Sequence, residues 1–125
     1  MQLPFSLTGI VKKFSGHGRQ FGYPTANIEV DMDAPEGVFA GFAHLEGKQL
    51  PALIFIGVPE TVGDTLKRAE AHILDFADRD LYGSKIRMEV VQKLRNNRKF
   101  ENISELIEAM RQDEKKGRTF FEEKS

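Results

Sequence analysis

The 125-residue chain has no cysteine, no tryptophan and no excess of charge of either sign. The absence of cysteine excludes disulfides, thiolate metal sites and a thiol nucleophile. Its 18 basic and 19 acidic residues give a net charge of −1, so no overall field draws the chain to nucleic acid or to a membrane. No apolar run approaches the roughly 18 residues of a membrane span, and residues 1–5 lack the basic and apolar regions of a signal peptide. We therefore expect a small cytoplasmic protein.

The apolar content is sufficient for a folded core. Hydrophobic residues make up 40% of the chain and include ten phenylalanines, which excludes intrinsic disorder. The length suits one domain, because domains are usually about 100–150 residues long. We expect a single domain over residues 1–125 with a charged C-terminal tail from about residue 117, and nothing in the sequence demands more than a monomer.

Most of the chain is predicted to form strands. Short alternating or apolar runs predict six of them, at residues 7–14, 25–30, 38–45, 50–56, 69–76 and 86–94. The segment Glu46-Gly47-Lys48 between the third and fourth runs is typical of a β-hairpin.

A helix is predicted near the C-terminus. Four apolar residues there have the spacing of one helical face, namely Ile103, Leu106, Ile107 and Met110. Asn102 and Glu105 resemble a capping box at its start, and Gly117 is expected to be its C-cap. The fold class predicted from these elements is mainly β, a small six-stranded antiparallel β-barrel of Greek-key type with a C-terminal α-helix that covers an opening or an edge.

A glycine-rich segment precedes the second predicted strand. Gly16, Gly18 and Gly22 would let the backbone approach a bulky anion closely, and the Arg19 guanidinium suits phosphate. The spacing fits neither the dinucleotide fingerprint nor a P-loop, so a hairpin loop without a ligand is the alternative.

The strand after this segment carries two polar side chains on one face. Thr25 and Asn27 are two residues apart, so their oxygens point to the same side, while Ala26 and Ile28 point to the other. A hydroxyl and an amide oxygen can hold Mg²⁺ weakly and leave coordination positions for phosphates and water. The alternative is that both side chains lie on a solvated strand face.

A second strand carries a candidate general base. Glu70 and His72 share one face of the run at 69–76, and a carboxylate on a rigid strand can accept a proton from a hydroxyl. The alternatives are a solvated glutamate and a structural histidine. His17 and His44 have no metal-ligand spacing with His72, which argues against a zinc site.

The ordered combination of these segments resembles the riboflavin kinase family. The segment with the most specific resemblance is Gly22-Tyr23-Pro24-Thr25-Ala26-Asn27-Ile28, which follows the glycine-rich residues 16–19. Further segments occur in family order at 37–40, 70–76, 81–83, 94–95 and 99–100, and the resemblance runs from about residue 7 to residue 117. The family fold, a six-stranded antiparallel barrel with a C-terminal helix, agrees with the predicted elements.

The resemblance implies transfer of a phosphoryl group from ATP to riboflavin, which yields FMN and ADP. It implies that Thr25 and Asn27 coordinate Mg²⁺ with the nucleotide phosphates and that Glu70 accepts the proton of the ribityl hydroxyl. The remaining residues that it assigns to substrate binding are Gly16, Gly18, Arg19 and Gly22 at the phosphates, His72 and Tyr82 near the nucleotide, and Arg95 on the flavin side. The C-terminal helix and the loop before it would help to enclose the isoalloxazine ring.

Two departures from the family pattern leave a second function open. Phe55 stands where asparagine is usual, and Asn96-Asn97 stands where an acidic residue usually follows Arg95. A non-catalytic flavin- or nucleotide-binding barrel is therefore the alternative to a kinase. A nucleic-acid-binding barrel is disfavoured, since the charge is balanced and the phenylalanines alternate with apolar neighbours. The 125 residues do not include the adenylyltransferase module of bifunctional bacterial relatives, so FAD synthesis is not expected.

Overall fold

A computed structural model describes residues 3–12, 25–58, 66–76 and 81–124 of the chain. In chain order the elements are strands β1 (Phe5–Ile10), β2 (Thr25–Glu29), β3 (Gly37–Leu45), β4 (Lys48–Gly57), β5 (Arg68–Ile73) and β6 (Lys85–Arg95), then helix α1 (Ile103–Lys124). The six predicted strands and the predicted helix are therefore confirmed. Residues 13 and 14, which the prediction included in the first strand, lie outside the described residues.

The strands form one sheet in the order β1-β6-β3-β4-β5-β2, in which all the paired neighbours are antiparallel. The two edge strands meet, because the Lys12 amide donates to the Asn27 carbonyl oxygen at 2.8 Å just beyond β1. A Cβ atom added at Gly9 in β1 would lie 3.1 Å from the Cβ atom of Ile28 in β2. The sheet thus curls until its edges touch, which confirms the expected antiparallel barrel.

The hairpin between β3 and β4 turns over two residues. Leu45 pairs with Lys48, and Glu46 and Gly47 both have positive φ, at 53° and 76°. This conformation is that of a type I′ turn, whose twist matches the twist of the strands that it joins.

The interior of the barrel is filled by every second residue of the strands. Its buried members include Ala26, Ile28, Phe39, Ile54, Ala69, Ala71, Ile73, Ile86, Met88 and Val90. Because side chains alternate along a strand, the intervening residues point away from this core. Those on β2, β4 and β5 form the outer face described below.

Helix α1 packs on the outer face of the central strands β3, β4 and β6 and is longer than predicted, so the expectation that it covers an opening or an edge is wrong. Its N-terminus is capped as expected, because the side-chain oxygen of Asn102 accepts a hydrogen bond from the Glu105 amide at 2.9 Å. The prediction of a C-cap at Gly117 and of a tail from there is wrong, since the helix continues to Lys124. A Cβ atom at Gly117 would lie 2.5 Å from Cδ2 of Leu53, so glycine there permits the close approach of helix and sheet.

Strand β5 ends earlier than predicted. Asp75 has a φ of 56°, which breaks the extended conformation after Ile73. The Asp75 carboxylate accepts two hydrogen bonds from the Arg118 guanidinium, at 2.9 and 3.0 Å, so α1 holds the turn that follows β5.

No helix in the described ranges is long and apolar enough to cross a membrane.

Candidate active site

Six side chains form two rows across the outer face of β4, β5 and β2. The strand register places opposite one another Leu53, His72 and Thr25 in one row, and Phe55, Glu70 and Asn27 in the next. Directly opposed residues point to the same face of a sheet, with Cβ atoms about 4.5–5.5 Å apart. The two polar pairs predicted separately on β2 and β5 are therefore brought together into one cluster.

The polar members of this cluster are shielded from solvent. Thr25 is 8% exposed, Asn27 5% and His72 2%, and the Glu70 side chain is 14% exposed. The alternatives of a solvated strand face and of a solvated glutamate are therefore wrong. Buried polar groups are costly unless they bind a partner, so this grouping is typical of a site that binds a ligand.

Glu70 and His72 form a short hydrogen bond. The distance between His72 Nε2 and Glu70 Oε1 is 2.6 Å. An ionised carboxylate can only accept hydrogen bonds, so Nε2 carries the proton and donates it. The bond occupies one of the two carboxylate oxygens of Glu70.

The environment of Glu70 favours its ionised form. Burial by itself would raise the pKa of this carboxyl. The hydrogen bond and the charge of His72 oppose burial most strongly, followed by the charge of Arg68 and the polar side chain of the neighbouring Asn27. Together they hold the pKa of Glu70 below its ordinary value, so Glu70 is a carboxylate at neutral pH and can accept a proton.

Two acceptor oxygens in the cluster are left without partners. Asn27 Oδ1 and Glu70 Oε2 are buried, and neither has a hydrogen-bond partner among the described residues. Buried acceptors normally receive at least one hydrogen bond or bind an ion. Together with the Thr25 hydroxyl in the neighbouring row, Asn27 Oδ1 supplies the neutral oxygen donors that suit Mg²⁺.

An aromatic ring covers the Glu70–His72 pair from β4. The centroids of the Phe55 and His72 rings are 4.3 Å apart with an angle of 35° between the ring planes. Phe55 is opposite Glu70 in the register and diagonal to His72, a separation that aromatic side chains span. In the sequence, Phe55 stood out only as a departure from the family pattern, because residues 50–56 are apolar throughout and contain no alternation that would indicate which side chains face outward.

Arg95 lies on the same sheet but is engaged elsewhere. It is opposite Val38, which is opposite Phe55, so Arg95 and Glu70 are three strands apart, or roughly 14 Å along the sheet. Its guanidinium donates to both carboxylate oxygens of Asp113 in α1, at 2.7 and 2.8 Å. The described contacts thus give Arg95 a role in holding the helix, and its assignment to the flavin stays a prediction.

Tyr82 is in the turn that precedes β6. The Gly83 amide in this turn donates to the Val11 carbonyl oxygen at 2.9 Å. Lys12, which follows Val11 in the chain, pairs with Asn27. The turn and the cluster are therefore linked by backbone contacts through residues 11 and 12. The Tyr82 side chain is 43% exposed, and its assignment to the nucleotide stays a prediction.

The glycine-rich part of the prediction cannot be compared with the structure. Gly16, Gly18, Arg19 and Gly22 lie outside the described residues. The nearest described residues are Lys12, which pairs with Asn27, and Thr25, which lies two residues before Asn27 in β2.

Comparisons with known proteins agree with this geometry. The family model described as "Flavokinase: Riboflavin kinase" matches residues 1–121. The chain is 40% identical to the "Trifunctional protein RibF/MnmA" of Mycoplasmoides gallisepticum, over 94% of this chain and 18% of that protein. It is 36% identical to the "Bifunctional riboflavin kinase/FMN adenylyltransferase" of Escherichia coli K12, over 94% of this chain and 38% of that protein. The chain therefore spans less than half of either relative.

Two solved structures share the fold. One is described as a macrolide-efflux protein from Streptococcus pneumoniae, with a TM-score of 0.77, 28% identity, and coverage of 92% of this chain and 38% of that one. The other is a riboflavin kinase from Trypanosoma brucei, with a TM-score of 0.66, 27% identity, and coverage of 95% of this chain and 80% of that one. The family match over residues 1–121 and the shared fold lead to one conclusion: this chain belongs to the riboflavin kinase family.

Proposed function

We propose that this chain transfers the γ-phosphoryl group of ATP to the ribityl 5′-hydroxyl of riboflavin, which yields FMN and ADP. The observation that carries the proposal is the buried cluster in which an ionised Glu70 lies opposite Asn27 and beside His72. A base next to two neutral oxygen donors suits phosphoryl transfer to an alcohol, because it can accept the hydroxyl proton beside a site for the metal ion. All six side chains of the cluster come from one chain, so the proposal requires no second copy. ATP as the donor suggests the cytoplasm.

Glu70 is proposed as the general base. Its Oε1 atom is engaged by His72, so the hydroxyl proton of riboflavin is accepted by Oε2, which has no partner among the described residues. The alcohol oxygen then bonds to the γ-phosphorus as the bond to the leaving oxygen of ADP breaks. In a loose transition state the proton leaves late, so a carboxylate with a low pKa is a sufficient base, and alignment contributes most of the rate.

Thr25 and Asn27 are proposed to hold Mg²⁺. The unpartnered Oδ1 atom of Asn27 and the hydroxyl of Thr25 fit this ion, because Mg²⁺ prefers oxygen ligands and retains several positions for phosphates and water. The ion would offset negative charge on the phosphates when bound. The protein itself keeps these two oxygens on one strand, two residues apart and shielded from solvent.

The remaining assignments rest on the family resemblance. We propose that Gly16, Gly18, Arg19 and Gly22 contact the phosphates and that His72 and Tyr82 lie near the nucleotide. The described residues nearest to this segment support the assignment to the phosphates, since Lys12 pairs with Asn27 and Thr25 lies two residues before it in β2.

We further propose that the isoalloxazine ring binds near the start of α1, with Arg95 on the flavin side. The segment before α1 and its first turns line an open groove that includes Arg98, Phe100 and Glu105. The Phe100 ring lies below the Arg98 guanidinium, whose central carbon is 4.7 Å from the ring centroid. An aromatic ring in such a groove suits a planar ligand.

Incubation with riboflavin and Mg-ATP, with FMN and ADP separated by chromatography, tests the proposal. We expect equal amounts of the two products. Replacing Glu70 by Gln is expected to reduce turnover by about 100-fold or more while riboflavin binding changes little, because general-base catalysis contributes about 10²–10⁴-fold. Glu89→Gln is the matched control, since Glu89 also pairs with a histidine, His44, at 2.9 Å on the same barrel. Tight riboflavin binding without FMN formation would contradict the proposal and favour a binding domain.

A further inference from the structure

The Glu70–His72 pair is built differently from a surface ion pair. His72 is 2% exposed, and its ring has Leu53 and Thr25 as cross-strand neighbours. Leu53 is itself held by α1, because Gly117 brings the helix into close contact with it. The imidazole is therefore fixed from β4, from β2 and indirectly from the helix.

We propose that His72 is a positioning residue that fixes the Glu70 carboxylate for proton transfer, with the Phe55 ring holding the imidazole in place. This inference rests on the proposed kinase function and assigns His72 a role different from nucleotide contact. Three observations support this role: the 2.6 Å hydrogen bond between His72 and Glu70, the 4.3 Å contact between the Phe55 and His72 rings, and the shared outer face of β4 and β5.

The hydrogen bond selects which carboxylate oxygen meets the substrate. A glutamate side chain has three rotatable bonds, and fixing it costs conformational entropy that must be offset before the reaction. The bond from Nε2 to Oε1 fixes the carboxyl group in the folded protein and leaves Oε2 available. An orienting bond of this kind maintains the geometry on which the rate depends, since a displacement of about 1 Å can cost about 100-fold.

Phe55 completes the arrangement by limiting the tilt of the imidazole. Its ring is tilted by 35° from the plane of the His72 ring, and the two ring centroids are 4.3 Å apart. The same ring is the cross-strand neighbour of Glu70 and covers the pair on the side of β4. A flexible side chain at this position would leave His72 free to tilt and to lengthen its bond to Glu70.

A second histidine–glutamate pair on the barrel provides the comparison. His44 Nε2 and Glu89 Oε1 are 2.9 Å apart, but the two side chains are 25% and 31% exposed. This pair has the same chemistry, lies at the opposite end of β3 from the rows of the cluster, and touches none of its members in the described contacts. His44→Leu is therefore a matched control for His72→Leu.

The experiment measures kcat and KM for FMN formation in the parent chain and in the variants His72→Leu, His72→Gln, Phe55→Leu and His44→Leu. His72→Leu is expected to lower kcat by about 10- to 100-fold, with both KM values within about 2-fold of the parent. His72→Gln, whose amide nitrogen can reach the place of Nε2, is expected to recover most of this loss. Phe55→Leu is expected to lower kcat about 3- to 10-fold, and His44→Leu to leave it unchanged. Thermal unfolding of each variant shows which ones are folded at the assay temperature.

Combining His72→Leu with Glu70→Gln distinguishes positioning from a general structural effect. If His72 acts through Glu70, His72→Leu is expected to lower kcat by less than about 3-fold in the Glu70→Gln background, where the base is already removed. An equal cost in both backgrounds would overturn the inference, as would a rise in the KM for ATP with an unchanged kcat. If the parent forms FMN and His72→Leu is as active as the parent, the inference fails and the kinase function stands. A parent chain that forms no FMN would instead refute the proposed function.

Discussion

The pair formed by Arg95 and Asp113 allows a quantitative prediction about how α1 is attached to the barrel. Asp113 is fully buried in α1 and accepts two hydrogen bonds from Arg95, at 2.7 and 2.8 Å. The Arg95 side chain is 19% exposed, and its Nη1 atom also donates to the Asn96 carbonyl oxygen at 3.2 Å. The two partners are therefore unequal, because Arg95 retains a second acceptor and contact with water.

Because the two partners differ in burial, removing Arg95 and removing Asp113 are predicted to lower the free energy of unfolding by different amounts. Arg95→Met leaves a buried carboxylate without its cation, a situation that destabilises proteins by about 3–5 kcal/mol. Asp113→Asn leaves a partly exposed guanidinium, so the loss is that of charge-assisted hydrogen bonds, about 2 kcal/mol. The double variant Arg95→Met with Asp113→Leu removes both charges and is expected to recover most of the stability.

Urea denaturation at pH 7, followed by circular dichroism, measures these free energies of unfolding. Asp75→Asn is the matched control, since Asp75 also accepts two bonds from an arginine but is exposed. Exposed ion pairs contribute little to stability, so Asp75→Asn is expected to change the free energy of unfolding much less than either change at the buried pair. The reasoning would be refuted if Asp113→Asn were as destabilising as Arg95→Met, or if the double variant were less stable than Arg95→Met alone.

Three smaller effects follow from the same contacts. Gly117→Ala is expected to destabilise the folded protein by about 1 kcal/mol. Overpacking against Leu53 costs about 1–3 kcal/mol, which exceeds the gain of about 1 kcal/mol in helix propensity. A variant that urea denaturation shows to be more stable than the parent would contradict this. Asn102→Ala is expected to cost about 1 kcal/mol through loss of the helix cap, and an unchanged urea midpoint would contradict it. Arg118 lowers the pKa of Asp75 below its usual 3.8, so the ion pair stabilises the fold above about pH 4 and loses this effect as the pH falls further. The stability difference between the parent and Asp75→Asn should therefore shrink as the pH falls below about 4, and a difference that stays constant as the pH is lowered would refute the ion pair.

The sequence predicted which side chains share a face, but not which faces come together. The alternation in β2 and β5 was sufficient to place Thr25 with Asn27 and Glu70 with His72. That β2 pairs with β5 in a register that opposes Asn27 and Glu70 depends on contacts between residues far apart in the chain. Local periodicity contains no information on such pairings, so the cluster was predicted only through the family resemblance.

The errors at the C-terminus have one physical cause. Gly117 follows a mixed-charge run that looks like a solvated helix end, and local rules make such a glycine a C-cap. In the fold, Asp113 is buried by its pair with Arg95, and Gly117 is buried against Leu53. Both residues serve the contact between helix and sheet, and such tertiary contacts override local preferences.

The two departures from the family pattern make contacts within the same part of the fold. Phe55 lies against His72, and the Asn97 amide donates to the Ile56 carbonyl oxygen at 2.9 Å. Residues 55 and 56 are consecutive near the end of β4. Phe55 packs on the outer face of this strand, and Asn97 ties the segment after β6 to the β4 backbone. Each departure therefore makes a contact of its own at β4, the strand that pairs with the one that carries Glu70. On this basis we expect the substitutions to preserve the geometry of the cluster around Glu70 and His72, and to affect the proposed flavin site through the position of the segment after Arg95.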